Sequence, residues 1–582
     1  MASLALLTLT LLITWPLGAH LTSALPGDYG DPVFVSWVMA WVGGQLTTAL
    51  SDPATLASFW DANIFFPETR ALAFSEHFVA QTVLALPVYW ATGNSILTYN
   101  VAFILSFVLT GLGTFLLVRA MTASALAGFL AACVVAFNEY RLVYEIAHLH
   151  VLSIHWFPFA LLGLHRYFET DRRRYLAWTA LALIALNLSS IYYMAYCAPF
   201  VVAFAMSEMV RVGRWRTTRV WLELWATAAA VLLATIPFLM PYLEVQRRLG
   251  VERAADEVMR FSATLDHYRM ALPGLAVPLV FALIAVVGLF ATRQYRPGPS
   301  ADRPAVPPPR PAAATRAWFV VGALLMLLVS LWLSLGPTIQ SAGRAIDFPG
   351  LYGILYTYVP GYNGLRVPAR FAMLFFFFLA ILAGLGVAFL DQRWPRITRG
   401  VTLAALVVFL VRATPAAMPL NGVLPSEGLA PPPAYLTPAP ELPAIYRAVD
   451  SMLRPGAILA EFPFGDSWYD LRYMYFAGTH RRRLLNGYSG IFPPSFLARQ
   501  RILATPTLDP EAAQQALGGA THVIVHRTAW SDDTGAAIGA WLATLGARIV
   551  AEADGAVLYE LDVKEGLARR LLGASVQRAD QK

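Results

Sequence analysis

Lysine is almost missing from this 582-residue chain: Lys564 and Lys582 are the only two. Charge of either sign is scarce, at 14% against 57% hydrophobic residues, which departs from a soluble globular balance and points to a polytopic membrane protein. The net charge of +7 therefore comes from arginine. No soluble basic face accompanies it, so a nucleic-acid partner is excluded. Cysteine is just as sparse. Cys133 and Cys197 both fall in apolar segments, which rules out a disulfide framework and a zinc spacing. No Lys or Arg precedes Arg70, so Leu4–Leu21 lacks the basic flank of a signal peptide and reads as a retained first transmembrane helix.

What is abundant is apolar sequence. A helical span needs about 17–25 apolar residues. Such runs occur near 4–21, 97–118, 122–138, 149–165, 175–190, 192–210, 220–240, 271–292, 317–336, 371–390 and 400–416, giving about 11 transmembrane helices. Arginine placement orients them. "HRYFETDRRRY" (165–175), "RVGRWRTTR" (211–219), the loop Arg293–Arg316 and "DQRWPRITR" (391–399) share one side, which should be cytoplasmic. The loop 241–269 carries five arginines on the other side, balanced by Glu244, Glu252, Asp256, Glu257 and Asp266. The Pro-rich "RPGPSADRPAVPPPRPAAATR" should be an extended cytoplasmic linker.

The expected organisation is a transmembrane domain over 1–416 with a long external loop at 22–96, a Pro-rich linker at 417–440, and a soluble domain at 441–582. Within the loop, Val33–Leu50 and Phe78–Trp90 read as helices lying on the outer leaflet. The tail alternates β-rich runs (Ala457–Phe464, His522–Val525, Arg548–Ala551, Ala556–Leu561) with helical ones (Ala444–Met452, Pro510–Leu517, Thr534–Leu545). That is the pattern of a small α/β domain, here extracytoplasmic. The protein should thus reside in a bacterial inner (cytoplasmic) membrane.

Carboxylates near bilayer level are costly and default to a functional reading. Asp28 and Asp31, in "LPGDYGDPVFVSW", stand just past the first helix; Asp31 could equally be a plain helix cap. Glu76 and His77 precede the second loop helix. Glu139, Arg141, Glu145, His148 and His150 fall between the third and fourth helices, where Glu145 and His148, three residues apart, can pair on one helical turn. A solvated loop with an ordinary ion pair explains them equally well. A divalent cation (Mg or Mn) held by Asp28 and Asp31 with Glu139 is a further use of these acids. In "VPGYNGLRVPARF", Arg366 and Arg370 suit bidentate phosphate binding, or else lipid head-group contact by snorkelling.

Taken together, "GDYGDPVFVSW", "FSEHFVAQTVLALPVYWATGNSILTYN" and "FNEYRLVYEIAHLHVLSIHWFPFALLGLHR" resemble the GT-C fold of integral membrane glycosyltransferases over residues 1–415. The chain also resembles a subset of bacterial membrane proteins assigned to the glycosyltransferases, with "PGYNGLRVPARF" before a late helix and a C-terminal outer domain. The resemblance implies sugar transfer from a polyprenyl-phosphate donor, on the outer face, to a glycan, lipid or protein acceptor. Asp28 or Asp31 would match the catalytic acid of the first loop, and Glu139 the second acidic position, where the family commonly has Asp. Two other classes stay open. A transporter or flippase would need polar groups near the bilayer midplane. A non-catalytic scaffold would use the aromatic and Arg-rich stretch 461–496 to bind carbohydrate or protein.

Overall fold

The computed structural model describes residues 1–250, 253–291, 313–414, 417–423 and 426–562. Most of the Pro-rich linker expected to be cytoplasmic, with Glu252 and part of the 417–440 segment, lies outside them. The described chain divides into two compact units. One comprises Met1–Trp15 and Phe103–Ala417; the other comprises Pro16–Ala102 and Met418–Lys582.

The first unit is helical. Among the described residues, seven helices are long and apolar enough to cross a membrane, at 95–122, 125–144, 191–211, 218–249, 255–290, 314–334 and 368–393. The protein is an integral membrane protein. The other four expected spans are helical too, but shorter or more charged. Trp156–Thr170 and Arg174–Ser189 have 15 and 16 residues, and Pro395–Ala413 carries Arg396, Arg399 and Arg412. The first segment departs furthest from expectation. Its helix, Ala2–Ile13, stops before Trp15-Pro16. At 1.5 Å per residue it reaches about 18 Å, short of the roughly 30 Å hydrocarbon core. Ala372–Arg393 is the central element, buried along almost its whole length. Helix Thr218–Leu249 instead exposes Leu222, Trp225, Leu232, Leu233, Ile236 and Met240, as a lipid-facing helix should.

In the second unit the first loop and the C-terminal region form a single body. The helix Asp31–Ala49 does not lie on a membrane surface. It is buried all round from Pro32 to Gly43 and packs against Ser467–His480. The reason is its composition: Trp37, Met39, Trp41 and their neighbours leave no polar face to turn towards water. Polar staples fix the contact. Asn63 donates through Nδ2 to the Ala477 and Arg482 carbonyls, both at 3.0 Å, and Arg481 Nη2 donates to the Ala40 carbonyl at 2.8 Å. A Cβ at Gly44 would stand 2.0 Å from Arg481 Nη2, so any larger residue there has to displace that guanidinium.

The C-terminal region is a small α/β layer. Strands β1 (Ile458–Phe462), β2 (Arg483–Leu484), β3 (His522–His526), β4 (Arg548–Ala553) and β5 (Ala556–Glu560) form a mixed sheet of order β2-β1-β3-β5-β4. β1 runs parallel to β2 and β3, with Leu459 opposite His522 and Phe462 opposite Val525. Parallel neighbours need crossovers. Ser467–His480 supplies one; Pro494–Leu503 and Pro510–Ala516 supply the other. Asp466 starts the first crossover helix by accepting from the Trp468 and Tyr469 amides.

Candidate functional site

The expected site residues fall into two groups, one in each unit. In the second unit, Leu25–Tyr29 is held by backbone pairing to Pro419–Gly422. Gly27 N donates to the Pro419 carbonyl and Tyr29 N to the Gly422 carbonyl, both at 2.8 Å. Leu25 N donates to Asn421 Oδ1 at 2.8 Å, and Gly422 N returns a bond to the Gly27 carbonyl at 3.0 Å. Gly27 sits at φ 84°, a conformation that favours glycine. The turn buries Tyr29 and leaves Asp28 exposed, with its Oδ1 accepting from Gly30 N at 2.8 Å.

Asp31 is the first residue of Asp31–Ala49, behind Gly30 in the cap position. Its charge therefore meets the positive end of the helix dipole. The buried Tyr99 phenol lies within electrostatic reach of both Asp28 and Asp31. Glu76 and His77 are buried in the same unit. His77 Nδ1 accepts from Val79 N at 3.1 Å, and burial lowers its pKa to about 3, so the ring is neutral. Its role there is to start the helix Val79–Thr92.

In the first unit the turn 138–150 meets the segment 366–371. Arg370 is 7% exposed, and among the described residues neither a hydrogen bond nor an ion pair reaches its guanidinium. The ring of Tyr192 lies over it, with Cζ 4.7 Å from the centroid. Burying a cation without a bonded counter-ion is expensive. Around it stand Glu145, His148, His150 and Arg366. Glu145 accepts from the Tyr140 hydroxyl at 2.7 Å and faces His148 Nδ1 at 3.1 Å. His148 and His150 rings meet edge to face at 5.8 Å, and His150 lies in the field of both arginines. Arg366 is more open, 3.9 Å from Glu257 and over the ring of Phe261.

Two expected members stand apart. Arg141 is fully buried and donates to the Leu152 and Ser106 carbonyls at 3.1 and 3.3 Å, over Phe107. That is the use of a structural cation. Glu139 is half-buried at the start of the π-turn Tyr140–Tyr144, and its Oε2 faces Gly274. Glu145 is the carboxylate in the field of Arg370. Burial raises the Glu145 pKa, but His148, Arg370 and the Tyr140 hydroxyl outweigh it and leave the carboxyl below its ordinary range. Tyr140 and Tyr192 carried no distinguishing sequence signal, since aromatic residues are frequent throughout the chain.

Among the described residues one His/carboxylate triad comes within metal-ligating distance: His165, Glu169 and Glu208. Arg211 already binds it, with Nη2 2.5 Å from Glu169 and 2.7 Å from Glu208. Asp28 and Asp31 have no third ligand of that kind among the described residues, and Asp28 Oδ1 is engaged by Gly30. The intramembrane acids that a transport path would need are likewise committed. Glu208 pairs with His165 and Arg211, and Glu223 accepts from Tyr167, Arg173 and Arg219.

No family model matches the sequence, and no curated protein matches it. Solved structures do. The mycobacterial arabinofuranosyltransferase AftD is 14% identical, with a TM-score of 0.56 over 96% of this chain and 41% of that one. ArnT from Cupriavidus metallidurans, bound to undecaprenyl phosphate, is 12% identical, with a TM-score of 0.47 over 96% and 98%. The Archaeoglobus fulgidus oligosaccharyltransferase is 12% identical, with a TM-score of 0.39 over 90% and 68%. The chain thus spans about two fifths of the length of AftD. The fold is that of the GT-C membrane glycosyltransferases, carried by the likeness to AftD.

Proposed function

We propose that this protein is a membrane glycosyltransferase that moves a sugar from a polyprenyl-phosphate donor to an acceptor hydroxyl outside the cytoplasm, on a glycan, a lipid or a protein. The observation that carries the reading is the Arg370 guanidinium, buried and without a bonded counter-ion beside Arg366, His148 and His150. Such a cation suits a phosphate that arrives with its own charge and hydrogen-bond acceptors. The donor assignment rests on that chemistry together with the sequence resemblance; the GT-C fold supports transfer of a sugar.

The reaction needs three things from the protein. The acceptor hydroxyl must lose its proton, its oxygen must be placed at the anomeric carbon, and the departing phosphate must be stabilised. Asp28, exposed on a turn fixed by backbone pairing, serves as the base. Asp31, oriented by its helix, holds the acceptor. Within the first unit, Arg366 and Arg370 are the groups suited to hold a phosphate as it leaves with the electron pair of the broken carbon–oxygen bond.

The test uses the full chain in liposomes, supplied with polyprenyl-phosphate-linked hexoses and pentoses and a crude envelope acceptor fraction. Mass spectrometry should detect free polyprenyl phosphate accumulating with at least one donor. Turnover of none of them, by folded protein, would overturn the reading.

A further inference from the structure

The aromatic and Arg-rich stretch 461–496 has no part in the mechanism above, yet one of its residues stands beside the acid loop. Both belong to the second unit. Trp468, in the first turn of Ser467–His480, meets Tyr29 edge to face with ring centroids 6.4 Å apart. Tyr29 is fully buried and also lies in the field of Arg472, one helical turn beyond Trp468. Gly30 locates the indole with respect to the base. A Cβ added there would stand 3.0 Å from Asp28 Oδ1 and 3.9 Å from Trp468 Cζ3. The edge of the indole and the carboxylate therefore flank one backbone position.

The aromatic residues around Trp468 in the sequence are enclosed: Phe462, Phe464, Tyr469, Tyr473 and Phe476 are all buried. Trp468 is only half-buried, and among the described residues no hydrogen bond reaches its indole N–H. Such a ring offers an apolar face and a polar rim. Asp28 and Ser467 are exposed beside it, and neither 21–31 nor 461–471 contributes an exposed large apolar side chain. The patch is thus one aromatic surface bordered by oxygen atoms. A lipid tail or an apolar peptide would need a wider apolar surface.

A sugar ring has the matching form. Its C–H groups, gathered on one face, carry partial positive charge and pack on the negative face of an indole, while the hydroxyls at its edge seek carboxylate partners. A ring stacked on Trp468 brings those hydroxyls to the side where Asp28 stands.

We propose that Trp468 is the platform on which a sugar ring of the acceptor stacks, so that the acceptor is a glycan whose hydroxyl is offered to Asp28. This rests on the assignment of Asp28 as the base. The C-terminal α/β layer thereby supplies acceptor recognition, and Trp468 determines specificity without exchanging a proton.

The probe is envelope polysaccharide freed of lipid and protein by solvent extraction and protease digestion. Its binding to the full chain in detergent, without donor, should be roughly tenfold weaker in Trp468→Leu than in the wild type, and closer to the wild type in Trp468→Tyr, at equal melting temperature. With the same polysaccharide as acceptor in transfer assays, its KM should rise by a similar factor while kcat changes far less. A fall in kcat with binding unaltered would show a loosened acid turn and overturn the proposal. Transfer confined to the lipid extract or the protein fraction would overturn it too. Hydroxyl-radical footprinting needs no variant: bound polysaccharide should shield Trp468 of the wild type from oxidation, and undiminished oxidation would contradict the platform. Binding of polysaccharide by a wild type that turns over no donor would instead strike the glycosyltransferase reading and leave Trp468 as a glycan-binding residue.

Discussion

Asp28 lies on a segment shaped by residues far along the chain, since the Leu25–Asn421 bond joins positions 396 apart. Glu145, His148 and His150 lie within a single turn, and only Arg366 and Arg370 come from a distant segment. The polar groups also differ in how they are satisfied. Around the acid loop, backbone amides and carbonyls are closed by Pro419–Gly422, and the charge is left in the open. Around Arg370 the charge is enclosed, and among the described residues no hydrogen bond or ion pair reaches it. An exposed acid on a rigid turn is placed to exchange a proton. An enclosed cation without a bonded counter-ion is placed to receive an anion. The comparison assigns the two halves of a transfer reaction to different chemistry.

Removing the basicity of the acid loop should have the largest effect. Asp28→Asn keeps the shape and the Asx turn but abolishes the base, so turnover should drop roughly 10²–10⁴-fold at unchanged melting temperature. Asp31→Asn should cost less, through weakened acceptor binding. If Asp28→Asn retains full transfer, the acid loop is structural and the comparison fails.

Loosening the turn without touching an acid is the next test. Asn421 occupies φ 48° and its Oδ1 closes the Leu25 amide. Asn421→Ala leaves that buried amide unpaired, at a cost of about 1–3 kcal/mol. Turnover should fall with it, while polyprenyl-phosphate affinity stays as in the wild type. Equal loss of both would show that the variant damages the fold at large.

A smaller effect separates the buried neutral histidine of the second unit from those near Arg370. The folded-state pKa of His77, about 3, lies below the ordinary 6.5, so the folded protein favours the neutral ring. Its contribution to stability is full above about pH 6.5 and is lost as the pH falls towards 3. Compared with His77→Gln, the wild type should lose about 1 kcal/mol between pH 6.5 and 5.5, read as a narrowing difference in melting temperature. A difference that stays constant would mean that His77 is not held neutral.

Much of this was legible in the sequence. The apolar runs and arginine-rich loops announced a polytopic membrane protein, and Ala444–Met452 forms over the residues its pattern marks. Four of the five sheet strands also form where β-rich runs stood, and the two-residue strand Arg483–Leu484 was not marked by one. The surroundings of Asp31–Ala49 were not legible. A helix rich in Trp and Val looks the same whether it meets lipid or protein, and its partner Ser467–His480 lies far along the chain. The crossover helix itself was hidden by its tyrosines and glycine, which carry no clear helical period. At the site, the Glu145–His148 spacing was readable as one helical turn. The separate fates of Arg141 and Arg370 were not, because backbone carbonyls that satisfy a guanidinium leave no trace in side-chain identity.

Arg366 and Arg370 supply the most direct test of the central claim, that Arg370 awaits a phosphate. Binding of polyprenyl phosphate to the wild type, Arg370→Gln and Arg366→Gln can be measured by titration in detergent, with melting temperature as the control for folding. A charge-assisted bond to phosphate contributes about 1.5–3 kcal/mol, so affinity should weaken roughly tenfold or more in Arg370→Gln, and less in the more exposed Arg366→Gln. Unchanged affinity in a folded Arg370→Gln protein would contradict the account and return these arginines to lipid head-group contact.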